Sequence, residues 1–148
     1  MNNQFDDWNA ICKTKARYCR CMDTKDWEGY TDCFTEDYVL DTTLAGGYRI
    51  DGRAEAVKQV RDSIEAAKTA QHVHNPEITF DDEGADVIWA MQDRVEWDEQ
   101  RAPLMGSLGH TGYGHYKERW IKCTDGNWRI KTLALSYLHF DIRPLPKQ

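Results

Sequence analysis

Taking every second residue from Val87 to Trp97 gives valine, tryptophan, methionine, aspartate, valine and tryptophan, an apolar row with one carboxylate, Asp93, inside it. Alternate residues of a strand share a face, so this row predicts Asp93 among large apolar side chains. A buried carboxylate is costly unless it is paired, protonated or open to a wet pocket. A polar-lined cavity inside an apolar shell is where proton-transfer chemistry is commonly built. The alternative is a structural ion pair with Arg94 or Arg119, although Arg94 projects to the opposite face of the strand.

Three other segments could supply partners. His72 and His74 lie two apart in a strand that also holds Ile78 and Phe80, which predicts that both face the same interior. Histidine titrates near neutrality and suits a general base. The two could instead form a metal pair, but a third ligand is needed, and His110, His115 and His139 offer no ligand spacing. They could also be ordinary core or surface histidines. Asp23 closes a helical stretch and projects to its buried side, away from Lys13 and Lys15, or else caps the helix that follows. Tyr18, about a turn earlier, and Tyr137, in phase with Leu133 and Leu135, each read as a pocket phenol or as a core tyrosine. With His72, Trp89, Met91 and Tyr113, Tyr137 completes the candidate substrate-binding set.

These residues must be positioned by an α+β domain. Helical periodicity covers residues 6–22, 25–34 and 53–68. A strand at 37–43 turns back at Gly46-Gly47 to a short partner ending near Ile50. Long strands follow at 72–80, 85–97, 109–123 and 128–140, with hairpin turns at 81–84 and 124–127. Helices first and long antiparallel strands afterwards predict a sheet that curls around the helices, with bends at Gly109, Gly112 and Gly114. The loop 98–108, with Pro103 and Gly106, reads as the most mobile segment.

The 148 residues make one domain, 1–148, large enough for a full core. A formal charge of −6 with scattered Lys and Arg argues against nucleic acid. No apolar run is long enough to span a bilayer, and the acidic N-terminus is unlike a signal peptide. Five cysteines, an odd number, suit a reducing cytoplasm, and Cys19-x-Cys21 lacks the spacing of a metal or redox motif. Trp120 and Trp128 are candidates for an outer sheet surface that would be covered by oligomerisation.

The run from Arg17 to Trp27, RYCRCMDTKDW, together with His74-Asn75-Pro76-Glu77-Ile78-Thr79 and Met91-Gln92-Asp93-Arg94, resembles the SnoaL-like family of the nuclear transport factor 2-like superfamily. The resemblance is to the bile-acid 7α-dehydratases, and more distantly to scytalone dehydratases and hexachlorocyclohexane dehydrochlorinases. It covers residues 7–140 and implies a cone-shaped α+β barrel of the cystatin-like type. It also implies a cofactor-independent lyase, of dehydratase type, acting on a small hydrophobic cyclic ligand such as a steroid, terpenoid, polyketide or aromatic. The same fold hosts isomerases, cyclases, hydrolases and non-catalytic binders. The resemblance assigns His74 as the general base, Asp23 as its orienting carboxylate, Tyr18 as a hydrogen-bond donor and Asp93 as a tuning carboxylate. It implies no metal or organic cofactor, no membrane partner, and a homotrimer or homodimer. Where the dehydratases carry an arginine in the last strand, this chain has Tyr137, which cannot replace a charged bidentate fork.

Overall fold

The computed structural model describes residues 3–148. Helix α1 (Gln4–Thr24) begins at Asn3, whose side chain accepts from the Phe5 N–H, and Asp6 and Asp7 complement the dipole of its first turn. It ends at Lys25 in the left-handed conformation. Asp26 then caps α2 (Trp27–Thr31) by accepting from the Gly29 N–H at 3.0 Å. Asp23 therefore has no capping duty. Strands β1 (Phe34–Asp41) and β2 (Arg49–Asp51), joined through a short 3-10 turn at Thr43–Ala45, precede α3 (Arg53–Ile64). The long strands β3 (Ala67–Phe80), β4 (Ala85–Trp97), β5 (Gly109–Lys122) and β6 (Trp128–Arg143) complete the chain.

The six strands form one sheet in the order β2-β1-β6-β5-β4-β3, antiparallel except where β1 runs parallel to β6. β2 and β3 are its two edges, so the sheet curves without closing. This is the α+β architecture expected, with several element ends shifted by a few residues. The third helix stops at Ile64 because Ala67 already pairs with Trp97 in the sheet. The loop after β4 contains one helical turn, α4 (Ala102–Met105), started by Pro103 and stopped by Gly106 at φ 71°. Among the described residues no helix is long and apolar enough to cross a membrane.

The core holds a charged centre. The buried stripe of α1 runs Ile11, Lys15, Tyr18, Met22, so the i, i+4, i+7 spacing puts Lys15 in its middle. Lys15, expected on the solvent side, is fully buried. Its ammonium pairs with Glu118 of β5 and lies 3.6 Å and 4.1 Å from the ring centroids of Tyr18 and Tyr116. Glu118 also accepts from the indole N–H groups of Trp89, at 2.9 Å, and Trp120, at 2.8 Å. Every charge here is matched and hydrogen-bonded, which is the condition for burying it. Trp120 is thus a core residue, and so is Trp128, whose indole donates to Asp7 at 2.9 Å. Neither belongs to the outer sheet surface proposed for them from sequence.

Glu118→Ala would strand Lys15 and orphan two indoles. It is expected to lower unfolding free energy by about 3–5 kcal/mol in urea titration. Adding Lys15→Met should recover part of that loss, because the lone buried ammonium is then gone.

Candidate functional site

The inward face of the sheet follows from strand register. In β4, Val87, Trp89, Met91, Asp93 and Val95 point inward, as the alternation requires. Across the pairing, Asp93 stands opposite Gln71 of β3 and Gly112 of β5, while Val95 stands opposite Thr69 and His110. The inward set on β3 is therefore Thr69, Gln71 and Val73. His72 and His74 face outward and are exposed. The register slips by one residue between His74 and Glu77, around Asn75 at φ 49°. A one-residue bulge reverses the parity of a strand. Ile78 and Phe80 are inward beyond it, so a uniform count backwards from them turns the histidines to the wrong side.

The structure consequently does not bring Asp23 and His74 together. The Asp23 carboxylate accepts from the Thr69 hydroxyl at 2.9 Å and from the Gln71 backbone N–H at 3.1 Å. It fastens the end of α1 to the free edge of β3. His72 is likewise no pocket residue. Tyr113 lies on the outer face, half-exposed and stacked on His139 with ring centroids 5.3 Å apart. Trp89 and Met91 face inward but are packed into the core, where the Trp89 indole donates to Glu118.

A cavity of about 330 Å³ does open between α1, α3 and the sheet. Its apolar wall includes Met22, Leu40, Ile50, Val60, Leu133 and Leu135, and its polar groups include Tyr18, Tyr30, Gln71, Asp93, His110 and Tyr116. Tyr18 and Asp93 thus both line this cavity. The Tyr18 ring lies 5.2 Å from that of Tyr30 and 6.1 Å from that of Tyr116, forming a cluster of phenols over Lys15. The Tyr116 hydroxyl donates to Gln71 Oε1 at 3.4 Å. Tyr137 reaches the site through Asp93, donating to its Oδ2 at 2.5 Å. Gly112 makes this possible, since a Cβ there would sit 2.6 Å from Tyr137 Cε1. Asp93 Oδ1 is buried without a hydrogen-bond partner among the described residues. Arg94 and Arg119 are not its partners; they pair with Glu96 and with Asp81 and Asp86.

His110 was not singled out by its spacing, yet it faces the cavity diagonally from Asp93. The available signal was parity, because His110 shares its strand face with Gly112, Gly114 and Tyr116. Among the described residues no three His, Cys, Asp or Glu side chains gather as a metal site.

A SnoaL-like domain model matches residues 3–134. The chain belongs to the SnoaL-like family. Solved structures of the same fold include the Kfla4162 protein from Kribbella flavida, with TM-score 0.84 at 17% identity over 94% of this chain and 95% of that one. A protein provisionally assigned as a scytalone dehydratase from Novosphingobium aromaticivorans gives TM-score 0.79 at 20% identity over 98% and 97%. A nuclear transport factor 2-like protein with a cystatin-like fold, from the same organism, gives 0.73 at 16% over 91% and 84%.

The electrostatics of this SnoaL-like site follow from its burial. Desolvation raises the Asp93 carboxyl above its usual range, against the lowering pull of the Tyr137 hydroxyl and of the nearby His110. Desolvation lowers the His110 pKa, against the raising pull of Asp93, so the imidazole is neutral at neutral pH. Tyr18 and Tyr116 are held firmly protonated by burial.

A carboxyl whose pKa is raised by folding binds its proton more tightly in the folded state. Its contribution to stability is present below the unfolded-state value and is lost as pH rises through the folded value. Asp93→Asn is therefore expected to raise the melting temperature at pH 7. The difference should fade as the pH approaches 4, as read by thermal denaturation across that interval.

Proposed function

We propose that this SnoaL-like chain is a cofactor-independent acid–base enzyme of the lyase type, acting on a small, largely apolar cyclic substrate. The observation that carries the reading is the joint exposure of a neutral imidazole, His110, and a half-free carboxylate, Asp93, to one apolar cavity. His110 takes the base role that the family resemblance gave to His74. It removes a proton from a carbon beside a carbonyl, and the Asp93 charge stabilises the imidazolium that forms. Tyr18, protonated at working pH, donates to the developing oxyanion. In an elimination the C–O bond on the neighbouring carbon then breaks, and the proton leaves with the hydroxyl as water. In an isomerisation the proton returns to a different carbon. Tyr137 holds Asp93 in place by donating its hydroxyl to Oδ2.

A non-catalytic binding role is the second reading. It is favoured by Gln71, an amide that transfers no proton, standing at the centre of the inward face opposite Asp93.

Hydroxylated and keto-substituted ring compounds, incubated with the protein and followed by mass spectrometry, separate the two. The enzyme reading expects loss of water or a shifted double bond. It also expects His110→Gln and Asp93→Asn each to lower kcat by at least about 100-fold with the fold retained. Because the His110 pKa is lowered, the base stays unprotonated into mildly acidic solution, and activity should persist below the ordinary histidine midpoint. Ligands that bind without being consumed, or turnover indifferent to both substitutions, would transfer the protein to the binding class.

A further inference from the structure

The end of β3 is an open strand edge. Asp23 fastens that edge at Gln71 and the bulge at Asn75 interrupts it, but pairing with β4 resumes at Glu77 and runs to Phe80. Where the hairpin turns, the Asp81 N–H donates to the Gly84 carbonyl at 3.0 Å. Antiparallel pairs alternate from there, so Thr79 bonds to Asp86, while Ile78 and Phe80 aim their N–H and C=O groups away from β4. No strand lies on that side.

A solvent-open cleft of about 580 Å³ runs beside this edge, lined by Gln4, Phe5, Trp8, Ile78, Thr79 and Phe80. Its aromatic wall comes from the start of α1. Phe5 and Trp8, three residues apart on one helix face, hold their rings within 10° of parallel with centroids 6.3 Å apart, yet are 67% and 39% exposed. Large apolar side chains gathered beside unused backbone groups mark a surface that is covered when the protein works.

Charge identifies the cover. Asp6 adjoins Phe5 on α1, Glu77 opens the last stretch of β3, and Asp82 and Glu83 sit in the turn that ends it. All four are exposed, and none joins an ion pair among the described residues. The cations at hand are committed, Lys122 to Asp7 and Arg119 to Asp81 and Asp86. Lys117 is unpaired but stands two strands in, across Ile88 from Glu77. A second copy docked edge to edge would set these carboxylates against their own likeness, and an anionic membrane would be repelled. A strand that carries cations is attracted.

We infer that this strip docks an extended segment of another protein in which apolar and basic residues alternate. The segment adds as a further strand beside Ile78–Phe80 and bonds through their free N–H and C=O groups. Its inward side chains enter the cleft against Phe5 and Trp8. Its outward lysines or arginines face Glu77, with Asp82 and Glu83 at the strand end. The inference is independent of the cavity and of any turnover there.

The probe is an acetylated, amidated heptapeptide alternating lysine with valine, followed by calorimetry and by amide hydrogen exchange of the whole chain. At saturation the Ile78 and Phe80 N–H groups should exchange at least about tenfold more slowly, whereas Thr79, already bonded to β4, should not change. Methylating the nitrogens of two adjacent central residues removes a donor from each edge of the peptide and should weaken binding about tenfold. Glutamate in place of lysine should abolish it. Asp82→Asn with Glu83→Gln, both exposed, should cost about three- to tenfold, and Phe5→Ser with Trp8→Ser at least about tenfold. Binding that leaves Ile78 and Phe80 unprotected, or that the glutamate or methylated peptides reproduce, overturns the proposal. So does protection of the same two amides without peptide that rises with protein concentration, which would give the edge to a second copy.

Discussion

One buried ion pair organises the molecule. Lys15 comes from the middle of the first helix and Glu118 from the middle of the fifth strand, 103 positions apart in sequence. Their contact fixes how α1 lies in the hollow of the sheet. Two indole donors complete the coordination of Glu118, and two phenol rings flank the ammonium. Because each partner would be expensive alone, helix and sheet can only meet in this register. The consequence for the site is direct. Tyr18 and Tyr116, whose rings cover Lys15, are the same residues that form the polar floor of the cavity.

Around that floor the cavity combines rigid positioning with incomplete satisfaction. Asp93 is held on one oxygen by Tyr137, and among the described residues no side chain pairs with the other. Gly112 supplies the space that lets the Tyr137 ring cross the sheet to reach it. A core residue would be expected to have both oxygens matched, as Glu118 has. Two inward-facing carboxylates in one sheet therefore serve opposite ends: Glu118 is saturated and structural, whereas Asp93 is left open toward the cavity.

Much of this was legible in the residues. The α+β order, the limits of β4 and the inward direction of Asp93 all follow from alternation and turn residues. The failures have different causes, and the first is phase. His72 and His74 were turned inward by carrying the parity of Ile78 and Phe80 back across Asn75-Pro76, where the strand holds an extra residue. An asparagine able to adopt positive φ followed by proline is itself a bulge signal, so the reversal had a marker in the sequence. Lys15 was turned outward because of its charge, although its spacing from Ile11, Tyr18 and Met22 put it at the stripe centre. Only the partner strand reveals the compensating glutamate. His110 was passed over because it belongs to no motif; its role comes from neighbours across the sheet.

The way Asp23 meets β3 has a consequence beyond the site. β3 is an edge strand, and its outward backbone groups are a ready template on which a foreign strand could dock. Asp23 takes the Gln71 N–H that such an intruder would use, and the bulge at Asn75 distorts the stretch that follows. A carboxylate placed by the family resemblance at a reacting centre thus leaves one backbone donor fewer on that edge for a foreign strand to pair with.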